Sequence, residues 1–132
     1  MQPKKPTLVI GMLFSMLLFF GCTPVLKENT ITVTEFHDLL SNQEVILLDV
    51  RTPKEVAQGK IKRNALEADF FEDDFIEKIT SQLPKDKDVY VYCRSGKRSG
   101  KTVTKLRELG YSKIYNVEGG IKAWKAKGFE IE

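Results

Sequence analysis

The chain has 132 residues, room for one domain of ordinary size. Hydrophobic residues make up 42% and charged residues 30%, a balance that supports a core and excludes wholesale disorder. The net charge of +3 falls to +1 once Lys4 and Lys5 are set aside, and no basic stripe interleaves with aromatics, so nucleic-acid binding has no basis here.

The first segment reads as an export signal. Lys4 and Lys5 precede Leu8 to Phe20, an apolar run of 13 residues broken only by Gly11 and Ser15. As a helix it would reach roughly 20 Å, short of the ~30 Å hydrocarbon core of a bilayer. That length suits a signal peptide better than a membrane span. Leu18-Phe19-Phe20-Gly21-Cys22 resembles a bacterial lipobox, with Phe19 where Leu is usual. The resemblance implies that Cys22 is lipidated and becomes the new N-terminus. Residues 1–21 are then a signal peptide, 22–30 a tether containing Pro24, and 31–132 the domain. The expected location is the cell envelope, lipid-anchored and facing the periplasm. Thr23, in place of an Asp after Cys22, favours the outer membrane. The chain has two cysteines, and lipidation of Cys22 leaves Cys93 as the one thiol.

Within the domain, Ile31-Thr32-Val33 is a short β-prone run. Thr34 is the expected N-cap of a helix whose apolar face carries Phe36, Leu39 and Leu40, with His37 on the solvated surface. Val45 to Leu48 reads as a buried parallel strand ending in Asp49-Val50-Arg51. Thr52 and Pro53 start a short helix, as N-cap and first residue, that carries Glu55 and ends by Gly59. Ile61 and Ala65-Leu66 suggest brief extended pieces. Phe70, Phe71, Phe75, Ile76, Ile79 and Leu83 recur at helical spacing and predict a core-facing helix over 72–82. Residues 84–88 form a turn, and Val89 to Tyr92 the central strand. A helix is expected over Ser99 to Leu109, closed by Gly110. Then come a strand at Lys113 to Val117, a turn at Glu118-Gly119-Gly120, and a last helix from Ile121 to Lys127, with Trp124 and Phe129 in the core.

Strands alternating with helices make this an α/β chain with a mainly parallel sheet flanked by helices. Ligands of such sheets bind beyond the carboxyl ends of the strands. Asp49-Val50-Arg51, the segment from Cys93, and Glu118-Gly119-Gly120 all fall at strand ends, consistent with one shared site.

Cys93-Arg94-Ser95-Gly96-Lys97-Arg98-Ser99 is the stretch that carries chemistry. A cysteine ends a strand, a glycine-containing loop follows, and a helix begins. Backbone N–H groups converge in such a loop, and the helix N-terminus adds positive potential. Arg94, Lys97 and Arg98 add full charges. Each effect favours a thiolate and attracts an anion. Cys93 has no neighbouring His and no C-x-x-C partner, which disfavours a Cys/His protease, a dithiol and a zinc site. No metal or cofactor is called for. The thiolate suits an anion with an electrophilic atom: thiosulfate, a phosphate ester or arsenate.

The same stretch resembles the active-site loop of the single-domain rhodanese sulfurtransferases. So do Leu48-Asp49-Val50-Arg51-Thr52-Pro53 with Glu55, Gly59 with Ile61, Gly110-Tyr111, and Gly119-Gly120-Ile121 with Trp124, in that order along the chain. The likeness covers about residues 31–132. It implies a rhodanese-like domain with its loop at the carboxyl end of the central strand. It also implies ping-pong sulfur transfer from thiosulfate or a similar donor, through a Cys93 persulfide, to cyanide or a cellular thiol, including a protein thiol. Backbone N–H groups from Arg94 to Ser99 would hold the sulfur anion, with Arg94 and Lys97 drawing the donor in and Arg98 ordering the loop or binding the donor. Ser95 and Ser99 could donate to sulfur, or Ser99 could cap its helix. Asp49, Arg51 and Glu55 would support the loops. Cys93 to Arg98 is a six-residue loop, the length associated with sulfur transfer; related phosphatases use one residue more. The alternatives are a phosphatase or arsenate reductase on the same fold, or a non-catalytic sulfur carrier or redox sensor. Departures from the family are Lys60 where His is usual, Val56 where an aromatic is common, and one extra residue within 62–67.

Overall fold

The computed structural model describes residues 2–3 and 29–132. The expected signal segment 1–21, Cys22 and most of the tether lie outside the described residues. No helix among the described residues is long and apolar enough to cross a membrane.

Five strands form one sheet in the order β1-β5-β4-β2-β3: β1 (Thr30–Ile31), β2 (Ile46–Asp49), β3 (Leu66–Glu67), β4 (Val89–Tyr92) and β5 (Ile114–Val117). All four pairings are parallel. The helices are α1 (Val33–Asn42), α2 (Pro53–Val56), α3 (Phe75–Gln82), α4 (Lys97–Glu108) and α5 (Gly120–Ala126).

Strand alternation divides the core. Val89, Val91 and Cys93 face one side with residues of α3 and α4: Phe75, Ile79, Val103 and Leu106. Tyr90 and Tyr92 face the other, with Val33 and Phe36 of α1 and Ile121 and Trp124 of α5. β4 is buried along its whole length and lies in the middle of the sheet, as expected of the strand that delivers Cys93. Burial on both faces explains its unbroken apolar character.

Several local expectations are corrected. The N-cap of α1 is Thr32, not Thr34. Thr32 accepts from the Glu35 N–H at 3.2 Å, and the Glu35 carboxylate accepts from the Thr32 N–H at 2.9 Å, a capping box that Thr34 cannot make because His37 stands three residues on. His37 is not free on the surface: its ring stacks on Phe129 at 3.9 Å between centroids. α3 begins at Phe75, three residues later than predicted, because Glu72 to Asp74 turn in hydrogen-bonded bends first. Phe71 leaves the predicted core stripe and is 67% exposed. α4 begins two residues earlier than predicted, at Lys97, so Ser99 lies inside the helix and does not cap it. Its C-terminus matches expectation. Tyr111 N–H donates to the Leu106 carbonyl and Gly110 N–H to that of Arg107, the paired bonds of a Schellman motif.

Candidate active site

The carboxyl ends of β2, β4 and β5 bring together the three segments that the sequence marks. Cys93 follows β4 directly and is 1% exposed. The chain then turns through Arg94 and Ser95 to Gly96, which sits at φ +94 and caps α4. A side chain at Gly96 would be strained there and would press on the Gly119 backbone. Gly120, at φ +58, is tighter still: a Cβ there would stand 2.3 Å from the Cys93 carbonyl oxygen. That closeness lets α5 hold the loop from below. Ile121 N–H donates to the Cys93 carbonyl and Lys122 N–H to the Arg94 carbonyl, each at 3.0 Å.

The Cys93 sulfur is ringed by donors. Gly96 N–H reaches Sγ at 3.1 Å and the Ser99 hydroxyl at 3.4 Å. Burial alone would push the thiol up. The Ser99 hydroxyl, together with the N–H groups of Ser99, Ser95 and Gly96, outweighs that and holds the thiol below its ordinary value. Ser99 is therefore a sulfur ligand, placed inward because α4 starts early.

The cations divide in two. Arg94 and Lys97 are exposed. Arg98 is not free for a donor. Its Nη1 and Nη2 donate to the two Glu55 carboxylate oxygens at 2.8 and 2.7 Å, and its guanidinium lies 5.6 Å from the exposed Phe71 ring. The pair ties the first turn of α4, beside the loop, to α2. Lys97 and Arg98 occupy the first turn of α4, which has no acid. Positive charge there opposes the helix dipole. Glu55 offsets it for Arg98, and an arriving anion would offset it for Lys97.

Glu55 also belongs to α2. Thr52 accepts from the Glu55 N–H at 3.3 Å, and the Glu55 carboxylate accepts from the Thr52 N–H at 3.0 Å, so Thr52 and Pro53 begin α2 as expected. The Arg98 guanidinium is the main cause that lowers the Glu55 carboxyl to about 2.

Asp49 and Arg51 form a closed network, 0% and 4% exposed. Arg51 Nε and Nη2 donate to the Asp49 carboxylate at 2.9 and 2.7 Å, while Nη1 and Nη2 reach the Glu55 and Gly59 carbonyls at 3.2 and 2.8 Å. The Tyr92 hydroxyl donates to Asp49 and accepts from the Ile61 N–H at 3.3 Å. Burial, then the Asp49 charge, keeps Tyr92 protonated. The pair ties the end of β2 to the Glu55 and Gly59 carbonyls and makes no hydrogen bond to the Cys93 sulfur. Lys60 ties its own loop. Its Nζ donates to the Arg63 and Ala65 carbonyls at 3.0 and 2.9 Å and pairs with Glu67 at 2.7 Å.

Two residues that sequence reasoning passed over complete the site. Tyr92 looked like one more apolar strand residue. Asn116 lies on the same face of β5 as the buried Ile114, and its Nδ2 donates to the Gly96 carbonyl at 3.2 Å. A polar residue in the buried phase of a strand was the signal for it. No cluster of His, Cys, Asp and Glu among the described residues could hold a metal ion.

Comparison with known proteins gives the family. The rhodanese-like domain model matches residues 32–127. The chain belongs to the rhodanese-like domain family. It is 42% identical over 93 residues to a sulfurtransferase of Allochromatium vinosum, covering 70% of this chain and 83% of that protein. It is 32% identical over 109 residues to thiosulfate sulfurtransferase 16, chloroplastic, of Arabidopsis thaliana, covering 76% and 89%. The crystal structure of a rhodanese-like domain protein from Staphylococcus aureus superposes with a TM-score of 0.66 at 36% identity, covering 79% of this chain and 98% of that one. The matched residues include Asp49, the Cys93 loop and Gly120.

Proposed function

We propose that this rhodanese-like protein is a sulfurtransferase that carries sulfane sulfur on Cys93. The observation that supports it most is the sulfur's surroundings: a buried cysteine whose Sγ accepts from the Gly96 N–H and the Ser99 hydroxyl, with no base and no second thiol beside it among the described residues. Such a site holds a sulfur anion by fixed donors, and it can hold the same charge one atom further out. In the first half-reaction the Cys93 thiolate attacks the outer sulfur of thiosulfate. A cysteine–sulfur bond forms, the sulfur–sulfur bond of the donor breaks, and sulfite leaves with the electron pair. In the second, cyanide or a thiolate attacks the outer sulfur of the persulfide and returns Cys93 as thiolate. The loop donors compensate the anion at each stage. Arg94 and Lys97 draw in the dianionic donor, and Arg98 fixes the loop through Glu55.

The export reading completes the proposal. A lipid on Cys22 and the tether leading to β1 would hold the domain at the periplasmic side of a bacterial membrane. The donor would then be a sulfur anion of that compartment, and the acceptor a small or protein thiol there.

The test is intact-protein mass spectrometry after thiosulfate, paired with assays on thiosulfate plus cyanide and on an aryl phosphate. One added sulfur on Cys93 is expected, with turnover of thiosulfate and none of the phosphate. Cys93→Ser should lose turnover by more than ~10³-fold while remaining folded, because the nucleophile itself is gone. A serine variant that keeps sulfur transfer sinks the proposal.

A further inference from the structure

The proposed mechanism leaves the conformation of Gly96 unexplained. Its N–H donates to Cys93 Sγ, and its carbonyl faces the other way, into the start of α4. The two peptide planes meet at the Gly96 α-carbon, at φ +94 and ψ −5. Glycine rotates there more freely than any other residue, so the direction of the N–H needs an external restraint.

Two donors hold the carbonyl side. One is the Gly100 N–H, at 3.0 Å, the first bond of α4. The other is Asn116 Nδ2, at 3.2 Å, which reaches across from β5. Asn116 pairs in register with Val91, two residues before Cys93, so its backbone is fixed to the same strand that carries the nucleophile. The other end of this amide has no such use: Asn116 Oδ1 is buried and accepts no hydrogen bond among the described residues. A buried carbonyl without a donor is destabilising, and a leucine of similar size would avoid the penalty. The Nδ2 side is what accounts for an amide at this position.

We propose that Asn116 is a positioning residue for sulfur transfer: anchored on β5, it fixes the Gly96 hinge so that the Gly96 N–H stays aimed at the Cys93 sulfur. It acts through Gly96 and makes no hydrogen bond to the sulfur. The proposal rests on Cys93 as the nucleophile of the preceding section.

Asn116→Leu in the full chain tests it, since leucine keeps the volume and removes the donor. Alkylation of Cys93 by iodoacetamide, followed by peptide mass spectrometry across pH, reports the thiolate directly. The profile should move up by about half a unit to one unit, a roughly three- to tenfold slower alkylation at pH values below the midpoint. kcat/KM for thiosulfate should fall by the same factor there and recover at high pH. Tyr115→Phe, on the same strand but bonded through its hydroxyl to Asp88 and not to the loop, should leave the profile in place. A lost packing contact would lower the unfolding temperature and leave the pH profile where it was, and that result in a folded Asn116→Leu protein overturns the proposal. Asn116→Ala is read by the same criterion if the leucine variant does not fold. A shifted alkylation profile in a chain that moves no sulfur from thiosulfate keeps the positioning role and rejects the sulfurtransferase proposal instead.

Discussion

β2 and β4 lie side by side and end at the same edge of the sheet, yet their ends are finished in opposite ways. At the end of β2, every strong group is answered. The Asp49 carboxylate takes Arg51 and Tyr92, and the rest of the Arg51 guanidinium goes to the Glu55 and Gly59 carbonyls. At the end of β4, donors are in excess. The Cys93 sulfur receives an N–H and a hydroxyl, and Arg94 and Lys97 stand exposed nearby. The two ends even use opposite faces of the sheet, with Tyr92 on the α1 and α5 side and Cys93 on the α3 and α4 side. Buried charges must be paired, and a fully paired set has nothing left to offer a substrate. A site with surplus donors can take up charge and release it. Charged residues at a strand end mark structure or chemistry according to that balance, not according to their identity.

Breaking the closed end should have the largest effect on the fold and little on the chemistry. Asp49→Leu leaves the buried Arg51 guanidinium with backbone carbonyls alone. The expected loss is about 3–5 kcal/mol, the scale for orphaning one partner of a buried pair. Urea unfolding measures it. Per folded molecule, turnover should stay within a few-fold of the parent. A loss under ~1 kcal/mol would mean that this end is no more committed to structure than the other.

The sequence showed the two ends unequally. Apolar runs placed β2 and β4, because a strand buried on both faces has to be apolar throughout, and Ile114, Tyr115 and Val117 placed β5 despite Asn116 among them. The loop was legible because its chemistry sits in consecutive residues. The Glu55–Arg98 and Asn116–Gly96 contacts were not, since each depends on which strands are neighbours, and β5 lies beside β4 in the sheet only through a crossover. The early start of α4 was hidden for another reason. Lys97 and Arg98 are the wrong charge for a helix start, so the first turn looked like loop. The misassigned cap of α1 is a different matter: Thr32-x-x-Glu35 was present in the sequence, and the three-residue spacing to an acid should have chosen it over Thr34.

Glu55 joins the two ends, and its titration can separate their shares. Its carboxyl is held at about 2 against an ordinary 4.5, chiefly by Arg98. A lowered carboxylate contributes stability that is fully present above the ordinary value and is lost as pH falls from 4.5 toward 2. The parent should therefore lose stability through that window. Glu55→Gln should be weaker at neutral pH by about 1 kcal/mol, the scale of a partly exposed ion pair, and should show less decline in the window. Denaturant midpoints for both proteins across the acid range measure it. Parallel declines would show that the Arg98 pair carries no stability. Because Arg98 then loses its anchor, alkylation of Cys93 should also change, which Asp49→Leu should not reproduce.

The smallest effect comes from a pair of matched caps, and it makes the finest distinction. Thr32 and Thr52 each begin a helix with the same threonine-to-glutamate box. Glu35 faces solvent and, among the described residues, bonds only to its own cap, whereas Glu55 also holds Arg98. Removing either hydroxyl should cost about 1 kcal/mol, so Thr32→Ala and Thr52→Ala should unfold at similar denaturant concentrations. Their chemistry should differ. Thr52→Ala loosens the carboxylate that positions Arg98, and the loop that Arg98 orders should present its donors to Cys93 less steadily. Thr32→Ala leaves that chain of contacts intact. The expected outcome is a modest slowing of Cys93 alkylation, about two- to threefold, in Thr52→Ala alone, a ratio worth a fraction of a kcal/mol. Equal alkylation in the two variants would confine Glu55 to capping α2 and would leave the cysteine loop to be held by α5 and β5 without help from the closed end.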